Sequence, residues 1–281
     1  MSRDADWRGG PERTGLASIP MSVPERLLQR GAPPVVIAHR GASAVAPENT
    51  MAAFRAAFDS GAAWVETDVQ PTADGGLVLI HDDEVDRTTD GTGRVRELVT
   101  STLTGLDAGS WFGSPFAGTP IPTLNDLLAE LTEGRRLLLE IKGDHTPDQV
   151  AGIVAAIQAA GVDRRVLLQS FEVPVLRRLR AIVPEEPIGL LVERIGDDPV
   201  GDCQDLGAVT YNPDVAEVLR RPGVVADLHA AGIAIQPWFV DDPDQWTALT
   251  DLGVDGIITD DPAALLAWQR QPSPDATGPL P

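Results

Sequence analysis

Eight short runs rich in Val, Leu and Ile recur along the chain, and most are separated by a helix-patterned segment. The runs are Val35–His39, Trp64–Val69, Leu137–Ile141, Val166–Ser170, Ile188–Val192, Ala208–Tyr211, Ile233–Phe239 and Gly256–Thr259. They are nearly continuous in hydrophobicity rather than alternating. That is the pattern of strands covered on both faces, as in a parallel sheet wrapped by helices. The intervening segments carry Pro near their starts and Gly at several of their ends: Asn49–Ser60, Pro147–Ala160, Val173–Ile182, Pro213–Ala231, Pro243–Leu252 and Pro262–Arg270. Eight buried strands with helical crossovers predict an α/β fold, a TIM (β/α)8 barrel rather than an open doubly wound sheet. The Gly/Asp-rich link between the fifth and sixth strands is the least regular unit.

A ninth strand-like run, Leu77–His81, follows Val69 too closely for a parallel crossover, which needs a dozen or more residues. Asp74-Gly75-Gly76 reads instead as a hairpin turn. The second strand is therefore expected to rise above the barrel, fold back, and deliver His81 to the mouth. The excess chain at about 84–120 then reads as a small insertion after that hairpin, with Trp111, Phe112 and Phe116 as packing residues. Residues 1–34 read as a flexible leader with a short helix near Pro24–Arg30. Residues 35–270 form the barrel domain, and 271–281 a flexible Pro-rich tail.

Composition narrows the partners. Lys+Arg total 22 and Asp+Glu total 42, a formal net charge of −20. This disfavours nucleic acid and anionic membranes, both of which need a basic footprint. The single cysteine, Cys203, makes no internal disulfide and no cysteine-rich metal site. No apolar run is long enough for a spanning helix, a signal-like run is absent and no lipidated N-terminal cysteine is present, so the expected location is the cytoplasm. Oligomeric state cannot be read from the chain.

In a TIM barrel the chemistry gathers where the strands end. Strand one ends in His39-Arg40-Gly41, strand two in Glu66-Thr67-Asp68, the hairpin returns with His81-Asp82, and strand three ends in Glu140-Ile141-Lys142. Alternation puts Glu66 with Asp68, and Glu140 with Lys142, on common faces. Three carboxylates meeting at one mouth repel unless a cation neutralises them, and oxygen ligands select a hard ion, Mg2+ or Ca2+. The competing reading is a structural pairing of Glu66 or Glu140 with Arg40 or Lys142. Strand one lacks a His-x-His pair, so His39 and His81 read as proton-transfer groups rather than zinc ligands. Arg40 and Lys142 beside a cation suit a phosphoryl group. Lys142 is the only lysine in the chain. His145 and His229 read as surface residues.

The strings His39-Arg40-Gly41, Pro47-Glu48-Asn49-Thr50, Glu66-Thr67-Asp68-Val69, His81-Asp82, Arg87-Thr88-Thr89, Leu106-Asp107-Ala108-Gly109, Ile121-Pro122-Thr123-Leu124, Glu140-Ile141-Lys142, Ser170-Phe171 and Ile258-Thr259-Asp260 occur in that order. Together they resemble the glycerophosphodiester phosphodiesterase family over nearly the whole barrel. The resemblance implies a TIM barrel with an inserted subdomain and one divalent cation held by Glu66, Asp68 and Glu140. It implies His39 and His81 as the general acid/base pair, Arg40 and Lys142 on the phosphate, and Trp238 and Phe171 at the substrate pocket. The implied reaction is hydrolysis of a small glycerophosphodiester to glycerol 3-phosphate and an alcohol, with a cyclic phosphate as the expected intermediate. A lysophospholipase D-type reaction at the same site is the alternative. A non-catalytic binding barrel is disfavoured because none of these residues is missing. Where the family commonly shows Trp-Thr-Val-Asn, this chain has Trp238-Phe239-Val240-Asp241. Trp238 either lines the glycerol or alcohol pocket or packs the barrel, and the contacts made by Phe239 and Asp241 are left open.

Overall fold

A computed structural model describes residues 32–271. The leader and its short helix, apart from residues 32–34, and the tail beyond Gln271 lie outside the described residues.

The strands are β1 (Val35–Ala38), β2 (Trp64–Pro71), β3 (Leu77–Leu79), β4 (Arg136–Ile141), β5 (Val166–Ser170), β6 (Ile188–Val192), β7 (Thr210–Pro213), β8 (Ala234–Ile235) and β9 (Gly256–Thr259). Eight of them run parallel in the order β8-β7-β6-β5-β4-β2-β1-β9. Backbone hydrogen bonds cross the remaining gap: Asp255 N–H to Ile235 O at 3.0 Å, Ile258 N–H to Pro237 O at 3.1 Å, and Val240 N–H to Ile258 O at 2.8 Å. The expected barrel is therefore the observed one. β8 is shorter than its apolar run because Pro237 has no N–H for a ladder.

β3 pairs antiparallel with β2, Val69 opposite Leu79 and Pro71 opposite Leu77. This is the hairpin that the Asp-Gly-Gly turn predicts. The segment after it packs on its own small core of Val78, Ile80, Val85, Val95, Leu103, Ala108 and Ile121. Trp111, Phe112 and Phe116 are not in that core. They form an edge-to-face series over partly or fully exposed positions, because the aliphatic residues already fill the interior.

Two expectations about helices change. The Pro213–Ala231 segment is two helices, Val215–Arg220 and Val224–Ala230. Pro222 cannot donate, and Arg221 before it leaves helical geometry at φ −128° and ψ 63°. The irregular link between β6 and β7 contains a helix, Pro199–Leu206, whose N-terminus Asp198 caps by accepting from Gly201 N–H.

Strand parity decides what faces inward. Ile37, Trp64, Leu138, Leu167, Ala234 and Ile258 pack together on the barrel axis. The intervening residues, such as Val36, Val65, Leu137, Leu139, Leu168 and Ile257, face the helices in the main core. Counting two along each strand from the axial residues gives His39, Glu66, Asp68, Glu140, Lys142, Gln169, Phe171, Trp238 and Asp260 at the upper end. An apolar plug thus closes the bottom, and polar residues of the same parity line the top.

Candidate active site

A cavity of about 280 Å3 opens at that upper end, lined by His39, Arg40, Glu66, His81, Glu140, Lys142, Gln169, Phe171, Leu191, Glu193, Trp238, Phe239 and Ile258. Asp68 is buried beneath it.

Glu66, Asp68 and Glu140 each offer a carboxylate oxygen within 4.8 Å of the others. All three are buried. Burial, then repulsion from Asp68 and Glu140, pushes Glu66 well above the usual carboxylate range. Burial, then repulsion from Asp68, pushes Glu140 up to about 8. Burial opposes ionisation of Asp68 too, but Arg40, His81 and Lys142 outweigh it and hold its pKa low. Three desolvated carboxylates this close fit a hard divalent cation. The residues present fit such an ion on donor chemistry alone.

The basic groups surround this cluster. The Arg40 backbone N–H donates to Glu66 Oε2 at 3.1 Å, and its Nε lies 3.6 Å from Asp68 Oδ2. Burial works against the Arg40 charge, yet Asp68, Glu48 and Glu66 together raise its pKa. Lys142 Nζ is 3.2 Å from Glu140 Oε1 and 3.8 Å from Asp68 Oδ1. The structural pairing entertained from sequence is thus present for Glu140, while among the described residues Glu66 accepts from the Arg40 backbone N–H and has no side-chain ion pair. Lys142 Nζ also donates to His81 Nε2 at 2.8 Å.

Each histidine has a carboxylate on its other nitrogen. His39 Nδ1–H donates to Asp260 Oδ1 at 2.6 Å, and Ser43 Oγ–H donates to the same oxygen at 2.9 Å. His81 Nδ1–H donates to Asp82 Oδ1 at 2.6 Å. An ionised carboxylate only accepts, so both rings carry Nδ1–H and leave Nε2 for the cavity. Burial, together with Arg40 and Lys142, lowers the His81 pKa against the opposing pull of Asp68. The neutral imidazole is favoured there.

The Pro47-Glu48-Asn49 string has a role that its residue types do not disclose. Glu48 accepts from Arg40 Nη1 at 2.7 Å and from Arg87 Nη1 and Nη2, both at 2.8 Å. Arg87 Nε in turn donates to Asp82 Oδ2 at 2.5 Å. A chain of alternating charges therefore links Arg40 to His81 through Glu48, Arg87 and Asp82. Asn49 Nδ2–H donates to Asp68 Oδ2 at 2.9 Å and its Oδ1 accepts from Thr67 Oγ1 at 2.5 Å. Arg40 and Asn49 both have positive φ, 54° and 55°. These non-glycine residues in the left-handed region mark a backbone bent to serve the site.

One wall is aromatic, and Lys142 Nζ lies over its Phe171 ring at 5.8 Å. Trp238 Nε1–H donates to Asn212 O at 2.8 Å, fixing the indole. Phe171 meets it edge-on at 5.7 Å and Phe239 lies at 5.8 Å with a 40° tilt. Phe239 also stacks on His39 at 4.9 Å and 18°. Asp241 is structural, accepting from Thr259 Oγ1 at 2.6 Å and Asp260 N–H at 2.8 Å. The two surface assignments fail. His145 is buried, held through Nδ1 near Gly143 O at 3.3 Å in the loop after β4. His229 is half-buried and pairs with Asp255 at 2.8 Å. Both lie on helix or loop backbone that folds inward, which local polarity does not disclose.

Comparison with known proteins gives the same picture. A family model described as "Glycerophosphoryl diester phosphodiesterase family" matches residues 39–264. A glycerophosphodiester phosphodiesterase of Caldanaerobacter subterraneus subsp. tengcongensis is 38% identical over 240 residues, covering 84% of this chain and 98% of its own. A phosphodiesterase of Oleispira antarctica, solved with the product sn-glycerol-3-phosphate, superposes with a TM-score of 0.78 at 30% identity, covering 85% of this chain and 97% of that one. A glycerophosphodiester phosphodiesterase of Agrobacterium tumefaciens gives 0.75 at 33% identity, covering 83% and 99%.

Proposed function

This chain belongs to the glycerophosphoryl diester phosphodiesterase family and is a phosphoric diester hydrolase; on that premise we propose that it cleaves small glycerophosphodiesters to glycerol 3-phosphate and an alcohol. The observation that carries the reading is the convergence of two carboxylate-oriented histidines, three clustered carboxylates and two cations on one cavity.

Glu66, Asp68 and Glu140 would hold one divalent cation, Ca2+ or Mg2+. When bound, that ion supplies Lewis-acid stabilisation of charge on the phosphoryl group. Arg40 and Lys142 bind and orient the phosphate oxygens. His81, favoured as the neutral imidazole, takes the proton of the glycerol hydroxyl at Nε2 once Lys142 turns to the phosphate. The hydroxyl oxygen bonds to phosphorus, the P–O bond to the alcohol breaks, and His39, entering this step as the imidazolium with a second proton on Nε2, delivers that proton to the departing oxygen and is left as the neutral Nδ1–H ring. Water then opens the cyclic phosphate with the two histidines in reversed roles. Asp260 and Asp82 keep both rings in the Nδ1–H form throughout. Phe171 and Trp238 line the substrate pocket.

A deacylated substrate is favoured over a lysophospholipid. Among the described residues the large exposed apolar side chains are Val45, Val99, Trp111 and Phe239, and only Phe239 lines the cavity. Among the described residues no helix is long and apolar enough to cross a membrane.

The test is release of glycerol 3-phosphate from glycerophosphocholine, with and without a chelator. We expect chelation to abolish it and either Mg2+ or Ca2+ to restore it. Trapping of a cyclic glycerophosphate supports the two-step path. Equal turnover of diesters lacking the free hydroxyl refutes it.

A further inference from the structure

We propose that Arg96, in the segment inserted after the hairpin, is a positioning residue: its guanidinium straps the backbone turn that carries Lys142 and so sets where the lysine ammonium stands. The inference rests on the phosphodiesterase reading for what Lys142 does. It goes beyond that reading by giving the insertion a part in the reaction.

Lys142 is the first residue past β4, and its N–H reaches Val69 O at 3.3 Å. Gly143 then enters the left-handed region at φ 70°. One guanidinium spans the resulting turn. Arg96 Nη1–H donates to Asp144 O at 3.0 Å and Nη2–H to Lys142 O at 3.4 Å. Gly143 lies beneath the fork: a Cβ there would stand 3.0 Å from Arg96 Nη2. A second arginine holds the turn from another side. Arg178, on the Val173–Ile182 helix, donates to the Asp144 carboxylate and to His145 O, the latter at 2.6 Å.

The base of the strap is anchored. Arg96 rises from the short turn Val95–Glu97, and Val95 is fully buried in the small core of the insertion. Val95 N–H donates to Asp83 O at 2.9 Å, and Leu98 O accepts from Ala73 N–H at 2.9 Å. Arg96 is thereby fastened to the stretch of chain that presents His81 and Asp82. Lys142 Nζ closes the circuit by donating to His81 Nε2 at 2.8 Å. One small subdomain thus fixes His81 directly and Lys142 through Arg96.

The chemical consequence concerns reach. Lys142 must leave His81 to meet the phosphate, and its four-carbon stem is flexible. The position of its backbone limits where the ammonium can swing. A strap on the carbonyls fixes that backbone and leaves Nζ free to turn. Arg96 lines no part of the cavity, so it acts through the lysine. Its planar fork presents donors at a fixed separation, which a point-like ammonium does not.

The experiment titrates inorganic phosphate by calorimetry, with Mg2+ present, into the full chain and into Arg96→Gln, Arg96→Lys, Lys142→Gln and the Arg96→Gln/Lys142→Gln pair. The kcat and KM for glycerophosphocholine and the Tm are measured alongside. Arg96→Gln is expected to weaken phosphate binding and raise KM about three- to tenfold, the scale of one exposed charge-assisted contact. The kcat should move less, because Lys142 holds the phosphate in ground and transition states alike. Arg96→Lys keeps the charge and loses the fork, and at least a twofold weakening is expected. In the Lys142→Gln background the Arg96 substitution should add nothing. Additive losses overturn the strap. So does wild-type behaviour of Arg96→Lys beside a defective Arg96→Gln, which marks a long-range charge effect. A lower Tm with unchanged KM and phosphate affinity also overturns it, leaving Arg96 a brace of the insertion. No glycerol 3-phosphate from the wild type overturns the phosphodiesterase reading. Hydrogen exchange of the backbone amides at 143–146 then decides the strap by itself: faster exchange in Arg96→Gln supports it, and unaltered exchange rejects it.

Discussion

The imidazole of His39 and the carboxylate of Asp260 meet at 2.6 Å although 221 residues separate them in the chain. β1 and β9 are neighbours in the barrel, Ala38 paired with Thr259, so the residue after each strand reaches the same rim position. The bond fixes Nδ1–H on His39 and aims Nε2 at the cavity. Asp260→Asn can present an amide N–H to the ring and favour the wrong tautomer. We expect kcat to fall about 10²- to 10⁴-fold with KM little changed, the range seen when an orienting aspartate is replaced. A loss below fivefold in steady-state assays would show that the pair is merely structural.

Glu48 is the hinge of the charge chain, accepting from both Arg40 and Arg87. Burial alone would raise its pKa; the Arg87 and Arg40 bonds outweigh that and lower it. Glu48→Gln is expected to cost about 1–3 kcal/mol in urea unfolding, since buried charged donors lose their partner. It is also expected to lower kcat/KM about tenfold by loosening Arg40. Wild-type stability together with wild-type kinetics would contradict this.

Glu66→Gln separates the metal site from the fold. In the absence of a divalent ion Glu66 is repelled by Asp68 and Glu140. The neutral amide relieves that repulsion, so the Tm in chelator should hold or rise while activity vanishes. The wild type at an ion concentration near 100 times Kd should gain about 2.7 kcal/mol, and the variant little. A variant that unfolds in chelator, or that keeps the full ion-dependent gain in scanning calorimetry, would refute the assignment.

Gly41 sits at φ 84°, and a Cβ there would lie 2.6 Å from the Ala53 carbonyl carbon and 2.7 Å from its Cβ. Neither atom is a flexible tip, because both belong to Ala53 in the Met51–Ser60 helix. Gly41→Ala should destabilise by about 2–4 kcal/mol and displace Arg40. Chemical denaturation reads the first effect, and phosphate inhibition the second.

Acid stability should carry the signature of Asp82. Hydrogen bonds from Arg87, against a smaller opposing burial, hold its pKa at about 2. Because the folded value lies below the unfolded 3.8, the contribution is present above pH 3.8 and is lost as pH falls towards 2. Solvent screening of this partly exposed pair keeps the effect below about 1 kcal/mol. Asp82→Asn should flatten that part of the pH–stability curve. An unchanged acid limb would argue against the pairing.

Much of the barrel was legible before any coordinates. Continuous apolar runs mark strands buried on both faces, and period-two parity places Glu66, Asp68, Glu140 and Lys142 inside once Trp64 and Leu138 are inside. The hairpin was legible because its turn leaves too little chain for a crossover. Less local features were not. His145 is polar and follows Asp144, yet the loop after β4 buries it. The three aromatics after Asp107 look like a core but stand at partly or fully exposed positions, because the seven aliphatic residues of the small core fill that space first. Composition cannot rank such competitors.

The sequence by itself determined the barrel, the end of it that carries the chemistry, and the residue types gathered there, because parity and strand order are one-dimensional properties. Only the tertiary structure decided the partners: Asp260 on His39, Glu48 between two arginines, and Phe239 stacked on His39. Those relationships depend on which loops end side by side when the sheet closes. Closure joins the first strand to the last, a contact that no local stretch of sequence contains.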